Sequence, residues 1–171
     1  PGLLAPLTSS GGTITGTGDH GYLALQMLWA GCATKSFAAC HTVGTHPGGT
    51  FPRESFNAKS DYVSRQFSSA ARDTLIHAIE ARAGQPGSGA ILFDAYGGAI
   101  NHVAPNATAF VHRHDLCAIQ YLSYNGGGSW LQSTWSQMRP YVSGMAYQNY
   151  IDAALPHWQR AYYGANYARL K

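Results

Sequence analysis

Between residues 115 and 123 the side chains alternate with a period of two. Leu116, Ala118, Gln120 and Leu122 point one way, and Cys117, Ile119 and Tyr121 the other. Successive side chains of an extended backbone leave on opposite sides, so this run reads as a strand. A strand needs partners for its N–H and C=O groups, and residues 90–94 and 99–103 are expected to supply them. Helical patterns surround these runs. In residues 69–83 Ser69 can cap, Leu75, Ile76, Ile79 and Ala83 form a stripe, and Gly84 stands in the C′ position. Ser129 is expected to cap a helix through Trp130, Leu131, Trp135 and Met138 that stops before Pro140. Residues 22–30 are apolar nearly all round and predict a short buried helix ending at Gly31. The tail, 156–171, reads as helical with an interruption at Gly164. Residues 1–20 read as a loop with at most one short strand. Pro47-Gly48-Gly49 and Pro52 mark turns in a stretch without pattern, and residues 84–89 and 125–128 are further turns. Strand pairs mixed with helices, without internal repeats, argue an α+β fold with helices covering one face of an antiparallel sheet.

Composition narrows the function. Of 171 residues 45% are hydrophobic and 11% charged, against about 25% charged in a usual soluble domain. That excludes disorder, which pairs low hydrophobicity with high net charge. The net charge of +3 is scattered without runs, so no basic stripe awaits nucleic acid. No apolar segment approaches the ~20 residues of a membrane-spanning helix. Abundant Gly, Tyr and Trp beside three lysines hint at an extracellular surface. Cys32 and Cys40 are close in sequence and Cys117 is remote. The pair reads as a short disulfide loop, as buried thiols, or, with His41 and His46, as a zinc set whose spacing fits no common finger.

Several motifs lead nowhere. Gly16-Thr17-Gly18-Asp19-His20-Gly21 matches G-x-G-x-x-G but lacks the strong preceding strand and the later acid of a dinucleotide fold. His112 and His114 share a face of an extended segment without an evident third ligand, so a structural role is expected for both. There is neither a serine-hydrolase elbow nor a P-loop. More informative is Tyr147-Gln148-Asn149-Tyr150-Ile151-Asp152, where two phenols flank amides. A Tyr can act as a general base when a neighbour takes or stabilises its proton; equally, such residues pack and hydrogen-bond at their tips.

Five segments occur in one order: Phe56-Asn57-Ala58-Lys59-Ser60-Asp61-Tyr62; Asp94-Ala95-Tyr96-Gly97-Gly98; His112-Arg113 leading into Ile119-Gln120-Tyr121; Tyr147-Gln148-Asn149-Tyr150 with Asp152; and Trp158 through Tyr162-Tyr163-Gly164-Ala165-Asn166 to Arg169-Leu170. The series resembles the berberine-bridge-enzyme-like flavin oxidases of the vanillyl-alcohol-oxidase and p-cresol-methylhydroxylase superfamily. With Cys32, Cys40 and His41 it looks most similar to secreted actinobacterial members. The resemblance implies a two-part enzyme: an FAD-binding domain, and an α+β substrate domain that roofs the flavin. Residues 1–171 would be most of that substrate domain, incomplete at both ends. The flavin-binding domain lies elsewhere, on the same or a partner chain, and the family's Asp-Pro-x-Asn segment is expected after Lys171.

By the same resemblance Tyr150 is the catalytic base and Asp94 its proton-relay partner. Tyr147, Gln120 and His102 bind substrate, and Asn149 lies near the flavin. Some relatives carry a catalytic Glu where this sequence has Ala118, which favours oxidation of an alcohol such as a sugar hydroxyl, with oxygen as acceptor. Rival readings are a non-catalytic binding fragment and a secondary-metabolite tailoring oxidase. The secreted reading expects Cys32 bonded to Cys40, Cys117 as a buried free thiol, and no metal, membrane or nucleic-acid partner.

Overall fold

The structure, a computed structural model, describes residues 5–14, 16–42, 49 and 54–171. The chain falls into two compact units, Pro1–Glu54 and Ser55–Lys171.

The larger unit is built on three strands, β1 (Phe56–Val63), β2 (Ser88–Ala95) and β3 (Cys117–Tyr124), in the order β1-β3-β2 and all antiparallel. The alternating run is the central strand, as a strand patterned on both faces should be. Its register sets Tyr62 and Asp94 against Ala118, and Ser60 and Leu92 against Gln120. The α+β expectation holds, but its strand list changes. Residues 99–102 form a short helix, α5 (Ala99–His102). Gly98, at φ +53°, reverses the chain in a conformation that only glycine adopts freely, so β2 cannot run on into another strand. The second partner of β3 is β1, whose polar Asn57, Lys59, Ser60 and Asp61 hide its period.

One face of the sheet is backed by α6 (Gly128–Met138), against which α4 (Ser69–Arg82) packs. Val63, Ile119, Tyr121, Leu131 and Met138 form the buried core there, with Ile91, Leu75 and Trp130 at its margin. The α4 face turned inward is Ala71, Leu75, Ala78 and Arg82. Ile76 and Ile79 of the expected stripe are exposed, at 54% and 46%. Ser68, not Ser69, caps α4 by accepting the Ala71 N–H at 3.2 Å, and Gly84 takes the C′ position as expected. α6 begins after Gly127 and has no side-chain cap, so Ser129 lies inside the helix. Asp61 is fully buried on this face against the Arg139 guanidinium. Burial lifts its carboxyl to about 7 in spite of that partner. The tail holds α7 (Trp158–Tyr163) and a 3₁₀ turn from Gly164 to Arg169, as the interruption predicted.

The smaller unit carries α1 (Ala5–Ser9), α2 (Tyr22–Trp29) and α3 (Phe37–Cys40). The expected loop over 1–20 thus contains a helix. α2 buries none of its residues within the chain, and Tyr22 and Trp29 are 81% and 73% exposed, so the expected buried helix is an uncovered one. Cys32 and Cys40 form the disulfide, which takes both sulfurs out of any zinc set. His46, the Pro47-Gly48 part of the turn and Pro52 lie outside the described residues. Among the described residues no cluster of His, Cys, Asp or Glu could hold a metal. No described helix is long and apolar enough to cross a membrane. Cys117 is free but half-buried rather than buried, and burial, then the charges of Asp115 and Asp94, push its thiol up. The G-x-G-x-x-G run leads into α2 with no strand described ahead of it.

Candidate functional site

Residues 146–155 form almost no regular structure, yet β1 and α7 hold them in place. The Tyr147 N–H donates to Ser60 Oγ at 2.9 Å, and Lys59 Nζ donates to Asp152 Oδ2 at 2.6 Å. The Asp152 N–H donates to Tyr162 Oη at 2.9 Å, while Asp152 Oδ1 accepts the Ala154 N–H and closes a tight turn. A lysine only 7% exposed needs a counter-charge. Asp152 supplies it, which ties the loop to a strand 93 residues away in sequence.

On this clamped loop the Tyr147 and Tyr150 rings meet edge to face, 5.0 Å between centroids at 87°. Asn149 Nδ2 donates to Tyr147 Oη at 2.8 Å and fixes the direction of that phenol. The Tyr147 ring in turn abuts Phe110. Phe110 belongs to an aromatic cluster in which Tyr62 stacks on His112 at 3.9 Å and shares a 3.2 Å hydroxyl–hydroxyl hydrogen bond with Tyr96. His112 takes the structural role expected of it. Its Nε2 stands 3.1 Å from the Tyr162 carbonyl, which can only accept, so Nε2 carries the proton. His114 is exposed.

Asp94 lies on the sheet face opposite the core, across from Ala118. Burial, and after it the charges of Asp94, Tyr147 and Tyr96, hold the Tyr150 phenol above its ordinary value. Asp94 acts on Tyr150 through space, and no direct hydrogen bond joins the two. The Tyr96 phenol is also raised, chiefly by burial. Gln120 shares the Asp94 face. With Phe56, Lys59, Asn149, Tyr150 and Asp152 it lines a groove of about 780 Å³ along the β1 edge. His102 is exposed on α5 and does not line that groove. Asn149 is exposed, and its carboxamide oxygen has no hydrogen-bond partner among the described residues. Next to it Gln148 Oε1 is buried without a donor. Of the two, Asn149 lines the groove, and its carboxamide oxygen suits the single ring N–H that an oxidised flavin offers.

Sequence reading therefore placed Tyr150, Tyr147, Asn149, Asp94 and Gln120 in one neighbourhood and missed Lys59, Ser60, Tyr62, Tyr96 and Phe110. The available signal was the spacing of residues 58, 60 and 62, which sets Ser60 and Tyr62 on one face once residues 56–63 are read as a strand.

A family model described as "Berberine and berberine like" matches residues 146–171, the clamped loop and the tail. The uncharacterized FAD-linked oxidoreductase YgaK of Bacillus subtilis is 29% identical over 145 residues, 81% of this chain and 31% of that protein. Among solved structures, wild-type BBE-like 1 of Physcomitrella patens superposes with a TM-score of 0.70 at 29% identity, over 98% of this chain and 37% of the other. The grass pollen allergen Phl p 4, described as having glucose dehydrogenase activity, gives a TM-score of 0.61 at 28% identity, over 74% of this chain and 30% of the other. This chain spans less than two fifths of each of these proteins.

Proposed function

We propose, from its likeness to the berberine-bridge-enzyme-like FAD-linked oxidoreductases, that the chain is the substrate-binding portion of an oxidase acting on an alcohol, a carbohydrate or similar polyol. The observation that carries this reading is Tyr150, a phenol at the groove wall, crossed by Tyr147 and biased by Asp94. Support for a sugar comes from the glucose dehydrogenase activity given for Phl p 4. The amide-and-aromatic lining of the groove, with Gln120, Asn149 and Phe56, agrees with a polyhydroxylated ligand.

FAD, held mainly by a flavin-binding domain with Asn149 at its margin, supplies the hydride acceptor when bound. This chain manages the proton. Its neighbours hold the Tyr150 phenol neutral well above neutral pH, so Tyr150 takes the substrate hydroxyl proton only while passing on its own. Asp94, on the open sheet face and within electrostatic reach of Tyr150, is the group that receives it. An alcohol that gave its hydroxyl proton to this relay, and its hydride to the acceptor the cofactor would provide, would become a carbonyl. Tyr147 and Gln120 orient the hydroxyl-bearing carbon, and His102 contacts the outer part of a longer substrate. Secretion fits the Cys32–Cys40 bond, since such bonds persist in oxidising compartments.

The test uses the full-length flavoprotein and a panel of aldoses, oligosaccharides and polyols. Anaerobic bleaching of the flavin absorbance by one of these, followed by peroxide release in air, is the expected result. A yellow protein that no alcohol bleaches would sink the alcohol-oxidase reading. A colourless full-length protein would return the chain to a binding role.

A further inference from the structure

A second cavity lies beside the start of α6, where β2 begins and β3 ends; Gly127 and Ser129 line it, while Gly128 between them lines the groove. Arg82, in the last turn of α4, is only 9% exposed. Its Nη2 donates to the Pro86 carbonyl at 2.8 Å and its guanidinium stands over the Trp130 ring, but Nε has no acceptor. All eight acidic residues of the chain are described, and none pairs with Arg82. A guanidinium so far removed from water without an anion is costly to bury. The chain nevertheless keeps space for it: a Cβ at Gly127 would stand 2.9 Å from Arg82 Nη2, and one at Gly89 3.0 Å from Nε.

The same guanidinium adjoins the start of α6. Gly127 is the N-cap and no side chain caps the helix. The first N–H to find a carbonyl is that of Leu131, which bonds to Gly127 O at 2.9 Å. The N–H groups of Gly128, Ser129 and Trp130 are left over, at the positive end of an 11-residue helix dipole. Arg82, Gln85, Asn125, Gly127, Ser129 and Ser133 line a cavity of about 570 Å³, and its lining includes no acidic side chain.

We propose that this cavity binds a small tetrahedral oxyanion, phosphate or sulfate, between the Arg82 guanidinium and the free N–H groups of α6. The oxyanion supplies the missing counter-charge and accepts from the helix end, while the Ser129 and Ser133 hydroxyls and the Gln85 and Asn125 amides complete its shell. The site lies roughly 20 Å from Asp94, judged by the rise along β2, so it stands whether or not the groove oxidises alcohols.

The test is thermal unfolding of the full-length protein titrated with inorganic phosphate, sulfate or acetate, with sodium chloride holding ionic strength constant. Phosphate and sulfate should raise Tm saturably, by roughly 1–2 °C at ten times Kd, as expected for a ligand bound only to the folded state of a chain this long. Acetate should do little. Arg82→Lys keeps the charge but loses the fork and should weaken phosphate binding at least tenfold. Ser129→Asp sets a carboxylate at the same helix end. It should raise Tm by itself and abolish the phosphate response, in a protein that has lost no buried group. A folded wild type without a saturable phosphate response overturns the site. So does an undiminished response in Ser129→Asp, and an equal shift with acetate overturns the tetrahedral assignment.

Discussion

The two faces of the sheet share three strands and differ in nearly everything else. On one, Val63, Ile119 and Tyr121 meet Leu131 and Met138 in a closed core, and the Asp61–Arg139 ion pair is folded into it. On the other, Asp94, Ser60, Gln120 and Tyr62 meet a loop and an aromatic cluster, and the face opens onto a groove. Neighbours in sequence serve opposite ends: Asp61 is sealed in the core while Ser60 holds the loop that carries Tyr147 and Tyr150, and Tyr62 joins the aromatic cluster beside it. The pleat alone separates them, because each residue turns away from the one before. Stability and chemistry can therefore be perturbed independently along the same strand.

Tyr150→Phe, on the open face, carries the largest expected effect. In the full-length flavoprotein turnover should fall roughly 10²–10⁴-fold, the range for losing a general base, with Tm unchanged. Near-normal turnover would remove Tyr150 from the base role. On the closed face the consequence reverses. Met138→Ala should cost about 2–5 kcal/mol of unfolding free energy in denaturant titration while kcat per folded molecule stays put; loss of activity in the folded fraction would show that the faces are coupled. Asp94→Asn should lower kcat only about tenfold, because a phenol without its relay still releases a proton to water, and it should shift the pH–rate profile.

The smallest effect is a slope rather than a loss. The folded Asp61 carboxyl titrates at about 7, above its ordinary 3.8. Neutral Asp61 thus contributes its full stability below about pH 4, and that contribution fades as pH rises through 7, since the folded state holds the proton longer than the unfolded one. Asp61→Asn removes this titration, so the stability of the wild type relative to the variant should decline between pH 4 and pH 7. A difference between the two that does not vary with pH would mean that Arg139 keeps Asp61 ionised throughout. Lys59→Met should leave the core intact but free the loop, raising KM and lowering kcat together.

Local pattern revealed the elements whose burial follows from their own composition. β3 is apolar on both faces because it is the central strand and both faces are covered, and Gly84 and Gly164 mark the ends of the helices before them through backbone conformations that other residues avoid. β1 escaped notice because half of its inward positions are polar. Lys59 and Asp61 are buried only because Asp152 and Arg139 come to meet them from 93 and 78 residues away. The α4 stripe was misjudged for a related reason. Ala71, Ala78 and Arg82 face inward because α6 offers a close surface and the Trp130 indole, which donates to the Ala78 carbonyl at 2.7 Å. That surface leaves no depth for Ile76 and Ile79. α2 is apolar enough to be buried, but none of its residues is buried by the described part of its unit.

The sequence by itself determined the α+β class, the central strand, the ordered motifs that resemble the flavin oxidases, and the phenols and carboxylate that such chemistry requires. These follow from side-chain periodicity and residue type, which need no knowledge of distant partners. Only the tertiary structure decided that Tyr150 comes within electrostatic reach of Asp94, that Lys59 and Ser60 secure the loop between them, and that Arg82 is buried without an acid. Each depends on groups brought together from separate elements, and the cost of burying charge or the gain from pairing it exists only once those elements have closed.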